Sequence, residues 1–336
     1  MAITIQLAIV LAAASPPQRT LVQESRPFAG GMATISVVGA PPSTLAAALD
    51  EAFAEFAHVD EVMNEWSPRS AISRLNAAAG SGSWTPLPAD LCQVVRLALT
   101  GARRTAGLFD PTWAALRSVW RFGEGAGAPP AADAVRQLCP LVSWRAVEVE
   151  PAASGTCRAR LPLTGMAVGL GGIAKGWAVD EAARALRRRG LADFLIQAGG
   201  DLYAAGRRGR EPWRVAVRDP RGPRDAAFAE MEVRDRAFST SGDYEHAYLV
   251  EGTRYHHVID PRTCYPATAS RSVTVLARSA VRAEILSKAL FIAGGDAALR
   301  MAERDGAAAV VVTADNRVLR SPSLRKRLRV FRAPTP

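Results

Sequence analysis

Helical and strand-like segments follow one another along this chain without a regular alternation of strand and helix. Apolar residues at helical spacing predict helices over 44–63, 91–105, 178–189 and 280–293. Runs rich in β-branched residues predict strands at 32–38, 147–149, 214–217 and 272–276. A parallel, doubly wound sheet needs repeated βα units, which this pattern does not supply. It therefore favours an α+β fold, with helices packed on a largely antiparallel sheet.

The composition is that of a globular protein with a large core. Of the 336 residues, 49% are hydrophobic and 22% are charged, and a chain of this length buries enough apolar surface to fold without cross-links. We see no internal repeat or inter-domain linker and expect one domain over 23–320. The net charge of +10 suits an anionic partner. Aromatic residues do not interleave with the basic ones, so no nucleic-acid partner is predicted.

The two ends of the chain differ from the domain between them. Residues 3–14 are apolar and end in small residues, as in a secretory signal, although no Lys or Arg precedes them. We interpret 1–22 as an export signal, which predicts a periplasmic or exported protein with no integral membrane span in the mature chain; a cytoplasmic protein is the alternative. Residues 321–336 are rich in basic side chains and are interpreted as a solvated tail.

The four cysteines, Cys92, Cys139, Cys157 and Cys264, lie far apart and form no CxxC pair. Their spacing indicates neither a zinc site nor a disulfide framework. We therefore expect free or partly buried thiols.

A glycine-rich segment lies at 166–176, in the middle of the chain. Its apolar start predicts a short strand, and its glycines lead into the helix that follows. Glycines allow a ligand to approach the backbone, and a helix N-terminus presents free N–H groups to an anion. Gly169, Gly171 and Ala174 also fit a GxGxxA pattern, with Asp193 near the position of a ribose-binding acid. A Rossmann-type oxidoreductase is therefore one alternative, and a purely structural glycine turn is another.

Further blocks accompany this segment in the sequence. Residues 65–76 read Glu-Trp-Ser-Pro-Arg-Ser-Ala-Ile-Ser-Arg-Leu-Asn, and 107–112 read Gly-Leu-Phe-Asp-Pro-Thr. Residues 239–244 read Ser-Thr-Ser-Gly-Asp-Tyr, and 255–263 read Tyr-His-His-Val-Ile-Asp-Pro-Arg-Thr. Together with the Gly-Gly-Ile-Ala-Lys-Gly run of the glycine-rich segment and the Gln-Ala-Gly-Gly-Asp run at 197–201, these blocks resemble, in order, the motifs of the FAD:protein FMN transferases, also called the ApbE family.

This resemblance implies a single ApbE-like (T-fold-like) catalytic domain and a reaction at phosphorus. A threonine hydroxyl of an acceptor protein would attack the FMN-side phosphate of FAD, AMP would leave, and FMN would remain as a phosphoester. His257 is the candidate for handling the hydroxyl proton, together with Asp243 or Asp260. The residues that the resemblance assigns to the nucleotide are Trp66, Phe109, Asp110, Pro111, Gly171, Gly172, Lys175, Ser241, Gly242 and Arg262.

Other interpretations of these residues stay open. Trp66 also fits a core position, Asp110 fits a helix cap before Pro111, and His257 fits a structural role at the turn around Asp260. For the whole chain, the alternatives to transfer are a degenerate member that only binds FAD and an FAD pyrophosphatase in which water is the acceptor.

The metal site implied by the resemblance is where this sequence departs from the family. Mg²⁺ is expected on a main-chain carbonyl, here of Gly172, on an Asp, here Glu284, and on a Thr four residues later, here Lys288. Glutamate can ligate Mg²⁺, but an ammonium cannot. Because Glu284 and Lys288 share one helix face, Lys288 is predicted to replace part of the metal's charge; an exposed surface ion pair beside a decayed site is the alternative. Two further positions also depart from the family's motifs. Gly169 stands where an acid is usual, and Cys264 stands where a glycine is usual.

Overall fold

The computed structural model describes residues 20–39, 42–122 and 126–336. In chain order the strands are β1 (Leu21–Phe28), β2 (Gly31–Val38), β3 (Thr85–Leu87), β4 (Glu148–Pro151), β5 (Cys157–Arg160), β6 (Phe194–Ala198), β7 (Asp201–Ala205), β8 (Trp213–Arg218), β9 (Ala227–Val233), β10 (Arg236–Gly242), β11 (Ala247–Val250), β12 (Thr253–His256), β13 (Ile259–Asp260), β14 (Tyr265–Pro266), β15 (Ser270–Ala277), β16 (Ala308–Thr313), β17 (Val318–Arg320) and β18 (Leu328–Val330). The helices are α1 (Pro42–Met63), α2 (Ala71–Ala77), α3 (Ala89–Arg104), α4 (Ala132–Leu138), α5 (Ala174–Arg188), α6 (Ala280–Ala293) and α7 (Gly295–Arg304).

Eight strands form the main sheet, in the order β1-β2-β6-β7-β10-β15-β16-β17. Each neighbouring pair is antiparallel. The β1–β2 turn holds Ala29 and Gly30 at φ of 49° and 75°, the left-handed pair that suits a two-residue hairpin. The predicted α+β fold is confirmed, and a Rossmann-type parallel sheet is excluded.

Helices α1, α5 and α6 pack on one face of this sheet and share its larger core, in which Phe53, Ile196 and Leu286 are buried. The contact between α5 and α6 is close. A Cβ on Gly176 would lie 2.7 Å from the backbone of Ala280, so only glycine fits there without displacing the helices.

Helices α5 and α6 also cap each other's N-termini. Asp180 in α5 accepts hydrogen bonds from Ala280 N at 2.8 Å and Val281 N at 3.0 Å. Glu284 in α6 accepts one from Gly176 N at 2.7 Å. First-turn N–H groups have no acceptor within their own helix, so each helix supplies the carboxylate that the other needs. This exchange fixes the start of α5, where the glycine-rich segment ends.

The opposite face of the main sheet packs on a three-stranded sheet of order β18-β9-β8, with Trp213 and Met231 buried between them. Strand β18 belongs to 321–336, and Thr335 N in the same segment donates to both carboxylate oxygens of Asp219 at 3.1 Å. The prediction of a solvated tail is therefore wrong for the backbone, because this segment completes a sheet. Its basic side chains are nevertheless exposed.

The predicted helices correspond to α1, α3, α5 and α6, and the predicted strands overlap β2, β4, β8 and β15. One predicted strand is wrong: the apolar start of the glycine-rich segment, from residue 166 to the first glycine, forms no ladder. Val168 N instead donates to Asn76 Oδ1 at 2.8 Å, and Asn76 Nδ2 donates to Val168 O at 3.0 Å. Gly169 N donates to Pro111 O at 2.7 Å. The Asn76 side chain and the Pro111 carbonyl satisfy this backbone, so the apolar run needs no strand partner.

The prediction of free thiols is also wrong. Cys92 is bonded to Cys157, and Cys139 to Cys264, with Cα atoms 5.8 and 5.7 Å apart. The first disulfide joins α3 to β5, and the second joins the turn after α4 to the loop between β13 and β14. The partners are 65 and 125 residues apart in sequence. Only the tertiary fold brings them together, so their spacing carries no recognisable signal.

The predicted export signal at 1–22 lies mostly outside the described residues. Its last two residues, Leu21 and Val22, belong to β1. Within the described part of the chain, no helix combines the length and the apolar character needed to cross a membrane.

Candidate active site

Two adjoining cavities open beside the start of α5. The larger cavity has a volume of about 740 Å³ and reaches Lys175, whereas the smaller cavity has a volume of about 230 Å³ and reaches His257 and Lys288. The residues that line both cavities are Glu65, Trp66, Gly171 and His246. Five further predicted site residues also lie along the smaller cavity: Phe109, Asp110, Gly172, His257 and Lys288. The two volumes therefore form one continuous candidate site around Trp66.

Trp66 is the most exposed large hydrophobic residue of this site. Its exposed fraction is 75%, so a core position is wrong. Trp66 N donates to Asn64 Oδ1 at 2.9 Å, and the Arg117 guanidinium lies 4.9 Å from the ring centroid. A cation near the ring and an anchored backbone hold the indole at the mouth of both cavities. It is available for stacking against a planar ligand.

Glu65 supplies a buried carboxylate to the glycine-rich segment. Its Oε2 accepts a hydrogen bond of 2.5 Å from Leu170 N, and Arg117 Nη1 lies 3.5 Å from its Oε1. Burial raises the pKa of Glu65, although Arg117 and the N–H groups of Leu170 and Gly171 oppose that effect. The side chain fills space that Gly169 leaves open, since a Cβ there would lie 2.9 Å from Oε2. A carboxylate is thus present at this loop despite the missing acid at 169.

Asp110 acts as a helix cap. Its Oδ1 accepts hydrogen bonds from Thr112 N at 2.8 Å and Thr112 Oγ1 at 2.6 Å, and its Oδ2 accepts one from Trp144 N at 3.1 Å. Pro111 opens the short 3-10 helix that follows. Burial raises the pKa of Asp110, and these hydrogen bonds oppose it. The cap turns Phe109, which is 5% exposed, towards the smaller cavity.

Lys175, Lys288 and Asp201 surround the buried carboxylate of Glu284. Its Oε1 lies 2.9 Å from Lys175 Nζ and 3.4 Å from Lys288 Nζ. Asp201 Oδ2 lies 3.7 Å from Lys175 Nζ. Glu284 and Lys288 do face the same side of α6, as predicted, but the alternative of an exposed surface pair is wrong because Glu284 is 0% exposed.

The charges in this cluster shift the pKa values of its members. Burial disfavours the ammonium of Lys175, but Glu284 and Asp201 outweigh burial and raise its pKa. Burial disfavours the carboxylate of Glu284, yet Lys175 and Lys288 lower its pKa. Asp201 is different, because burial and the neighbouring Glu284 raise its pKa to about 6 against the pull of both lysines. The cluster therefore carries two ammonium groups opposite one firmly ionised carboxylate and one that titrates near neutrality.

His257 lines the smaller cavity. Its Nδ1 lies 2.9 Å from the Glu245 carbonyl oxygen, which can only accept, so Nδ1 is the donor. Burial lowers the pKa of His257 to about 3, with the nearby His246 adding to the effect. The imidazole is therefore neutral near pH 7, and Nε2 is left with a free lone pair. The neutral ring is free to accept a proton, although burial makes it a weaker base than an exposed imidazole.

Neither predicted carboxylate partner of His257 contacts it among the described residues. Asp243 accepts two hydrogen bonds of 2.6 Å from Arg221, and Asp260 accepts from Arg262 Nη2 at 2.6 Å. Each carboxylate is therefore committed to an arginine. Arg262, predicted on the nucleotide, lines neither cavity and instead holds the Asp260 loop.

Ser241 and Gly242 also lie away from both cavities, at the end of β10. Ser241 Oγ lies 2.8 Å from Ser287 Oγ on α6, which ties the sheet to that helix. A Cβ on Gly242 would lie 2.4 Å from the Tyr244 ring, so this glycine makes room for the tyrosine. Both residues therefore belong to the sheet beside the site and do not line either cavity.

The donors at the predicted metal position do not suit Mg²⁺. Mg²⁺ prefers an octahedral set of oxygens. The described residues contain no group of three or more His, Cys, Asp or Glu side chains arranged around a metal. Of the predicted ligands, the Glu284 carboxylate already accepts a hydrogen bond from Lys175 at 2.9 Å. The carbonyl of Gly171, the neighbour of the predicted ligand Gly172, accepts another from Lys175 at 3.0 Å. The one carboxylate of the predicted metal site is therefore already paired with an ammonium group.

Residues 29–312 match the family model described as the ApbE family, which is most of the chain. The chain belongs to the ApbE family. The FAD:protein FMN transferase of Treponema pallidum is 32% identical over 308 residues, which cover 87% of this chain and 84% of that protein. The protein of the same name from Klebsiella pneumoniae is 29% identical over 303 residues, or 89% and 86% of the two chains.

Solved ApbE structures share the fold. The flavin transferase ApbE from Vibrio cholerae has a TM-score of 0.80 at 26% identity, and the alignment covers 92% of this chain and 99% of that one. The apo form of the Pseudomonas stutzeri flavinyl transferase ApbE has a TM-score of 0.78 at 27% identity, with coverage of 91% and 96%. The ApbE-like fold expected from the motifs is confirmed.

Four residues of the site were not singled out in the sequence: Glu65, Arg117, Asp201 and His246. Glu65 and Asp201 lie inside ApbE motif blocks, at the start of 65–76 and at the end of Gln-Ala-Gly-Gly-Asp, so their position was a usable signal. Arg117 and His246 lie outside the motif blocks, and only the folded chain brings them to Trp66 and His257.

Proposed function

We propose that this ApbE-family protein transfers FMN from FAD to a threonine hydroxyl of an acceptor flavoprotein and releases AMP. Relatives named FAD:protein FMN transferase support the donor and the transferred group. The observation that carries the proposal is the meeting of three groups in one site. Trp66 stands exposed between Lys175 in the larger cavity and His257 in the smaller one.

Each of these groups fits one requirement of the reaction. The exposed indole of Trp66 offers a stacking surface for a ring of FAD. The ammonium of Lys175 and the backbone of the glycine-rich segment offer positive charge and close approach to a pyrophosphate. The smaller cavity offers an apolar wall of Phe109, Val258 and Ile259, which would limit the water that competes with the acceptor hydroxyl.

His257 fits the proton transfer. The bond that forms joins the threonine Oγ to the FMN-side phosphorus, and the bond that breaks joins that phosphorus to the bridging oxygen of AMP. The threonine proton passes to Nε2 of the neutral imidazole, and AMP leaves with the bridging oxygen and its electron pair. The hydrogen bond from Nδ1 to Glu245 O keeps the ring in the tautomer that this step needs.

The test is a single incubation of the purified protein with FAD and an acceptor flavoprotein domain that carries a candidate threonine. The products are weighed by mass spectrometry, and AMP is measured. An FMN adduct on the acceptor, lost when its threonine is replaced by alanine, supports the proposal. Free FMN and AMP without an adduct would instead indicate an FAD pyrophosphatase. Bound but unconverted FAD would indicate a degenerate binding protein.

We also propose that the mature protein is exported. Two disulfides within one chain suit an oxidising compartment. The test is to fuse residues 1–22 to a reporter that becomes active only outside the cytoplasm. An inactive reporter would argue for the cytoplasmic alternative.

A further inference from the structure

Lysine is rare in this chain, and its placement is uneven. Only three of the 42 Lys and Arg residues are lysines. Two of them, Lys175 on α5 and Lys288 on α6, contact the same buried carboxylate of Glu284. The third, Lys326, is exposed near the C-terminus. A chain that uses arginine almost everywhere else therefore places two compact, single-point cations at one site.

The oxygens around these lysines are already hydrogen-bonded. Glu284 Oε2 accepts from Gly176 N at 2.7 Å, and its Oε1 lies within reach of both ammonium groups. Lys175 Nζ also donates to Gly171 O at 3.0 Å. A cation that took the two Glu284 oxygens as ligands would have to displace the cap of α5 and the ion pair together. It would also approach two like charges.

The stem of Lys288 is fitted to the glycine-rich segment. A Cβ on Gly172 would lie 3.3 Å from Cδ and Cε of Lys288 and 3.0 Å from the Phe109 ring. Glycine at this position lets the lysine pass over the backbone that the resemblance assigns to the metal. The side chain of Lys288 remains 19% exposed and that of Lys175 30% exposed, so both can reach a ligand.

We infer that Lys175 and Lys288 together take the place of the divalent cation on the pyrophosphate of FAD, so that this ApbE protein binds FAD and transfers FMN without a metal ion. Two ammonium groups carry the same charge as one Mg²⁺ and donate charge-assisted hydrogen bonds to phosphate oxygens. They are held by Glu284 and Asp201, as a metal would be held by its ligands. This inference rests on the proposed transferase function.

The first test measures metal binding without any reaction. The full-length protein is titrated with Mn²⁺ as a paramagnetic probe, with and without FAD, and free Mn²⁺ is followed by electron paramagnetic resonance. We expect no stoichiometric binding in either case. The double variant Glu284→Asp with Lys288→Thr, which restores the residues expected in the family, should gain a site. Stoichiometric Mn²⁺ binding by the parent protein would overturn the inference.

The second test measures FAD affinity and FMN transfer in excess EDTA and in excess Mg²⁺. We expect both to differ by less than about twofold between the two conditions, well below the effect of one charge-assisted contact. Lys288→Met should weaken FAD binding about tenfold in either condition, since that is the smaller end of the value of such a contact. Lys326→Met is the matched control and should change neither quantity.

The outcomes separate the inference from the function on which it rests. Transfer that is lost in EDTA and restored by Mg²⁺ would overturn the metal-free site and leave the transferase function intact. An absence of transfer in both conditions would overturn the function, and FAD affinity and Mn²⁺ binding would then decide the inference.

Discussion

The Glu65 carboxylate accepts a 2.5 Å hydrogen bond from Leu170 N, which joins two motifs 105 residues apart. The neighbouring Gly169 makes this contact possible, since a Cβ there would lie 2.9 Å from the same carboxylate oxygen. The acid that is missing from the glycine-rich segment is thus matched by an acid from the preceding block. Glu65 fixes the loop from one side and Lys175 from the other.

Glu65→Ala should loosen this loop. The variant leaves Leu170 N–H without its acceptor, so we expect the free energy of unfolding to fall by about 1–3 kcal/mol and FAD affinity to fall with it. Glu65→Gln, which keeps an acceptor, should lose less. Urea unfolding and FAD titration measure the two effects, and Glu61→Ala, at an exposed position on α1, is the control. Equal stability and affinity in Glu65→Ala would show that the contact is dispensable.

Trp66→Ala should weaken FAD binding by about 1–3 kcal/mol, the usual value of a lost aromatic stacking surface. Because the indole is 75% exposed, little core packing is lost and the melting temperature should hardly change. Fluorescence titration with FAD measures the affinity. Trp84→Ala is a matched control, since Trp84 also lies under arginine guanidinium groups but lines neither cavity. Unchanged FAD affinity in Trp66→Ala would remove this residue from the binding site.

His257→Ala should slow transfer by about 10²–10⁴-fold while FAD affinity changes little, because the lost group moves a proton. Burial lowers the pKa of His257 to about 3, so the imidazole stays neutral and the parent rate should show no inflection from this residue between about pH 5 and 8. Single-turnover rates across that range test both statements, with His58→Ala as a histidine control outside the site. A parental rate in His257→Ala would rule out the proton-acceptor role.

The disulfide between Cys139 and Cys264 should stabilise the loop around Asp260. Its removal in Cys139→Ser with Cys264→Ser should lower the free energy of unfolding by about 2–5 kcal/mol. Cys264 has a φ of 61°, a left-handed conformation that suits glycine.

A second double variant of the same two cysteines measures the energetic cost of the left-handed conformation at Cys264. Cys139→Ser with Cys264→Gly should be more stable than the double serine variant by about 1–2 kcal/mol, because glycine relieves the left-handed strain. Chemical denaturation measures both variants. If the glycine variant is the less stable of the two, the strain argument fails.

Asp180 should make folding stability depend on pH. Burial raises its pKa to about 6 from an ordinary value of 3.8, although the N–H groups of Ala280 and Val281 oppose the effect. The folded state therefore holds the proton more tightly than the unfolded chain. The cost of the buried charge is fully present above about pH 6 and disappears below the unfolded value, so this group stabilises the fold as pH falls.

The measurement compares the parent protein with Asp180→Asn by urea unfolding from about pH 7 to about pH 4. The stability difference should shift in favour of the parent by about 1–3 kcal/mol on acidification, the equivalent of roughly two pKa units. The two proteins share all other titrating groups, so the contributions of those groups cancel in the difference. Asp296→Asn, at an exposed position of α7, serves as the control. A difference that does not change with pH would contradict the raised pKa.

Much of the fold could be predicted from the sequence because it depends on local patterns. Helical spacing identified α1, α3, α5 and α6, with α6 correct at both ends, and the lack of βα repeats correctly favoured an antiparallel sheet. The Trp66, Phe109 and His257 motifs lead to one site, since ordered blocks of this kind specify a family.

The errors have a common physical origin. The short strand predicted at the start of the glycine-rich segment was wrong because Asn76, on a distant helix, hydrogen-bonds that backbone instead. The prediction of free thiols was wrong because the cysteines of each disulfide lie 65 and 125 residues apart in the sequence. Asp243 and Asp260 were expected at His257, but each is bound by an arginine, a choice that depends on which side chain lies closer in the folded chain.

The sequence by itself determined four of the main helices, the family and several of the residues that line the candidate site, because each of these depends on residue type and on spacing along the chain. Only the tertiary structure decided which of those residues form hydrogen bonds and ion pairs with one another. Glu284 is a buried acceptor for two lysines and a helix N-terminus because α5 and α6 cross closely at Gly176. Hydrogen bonds and charge pairs act over a few ångströms in space, and sequence separation does not record that distance.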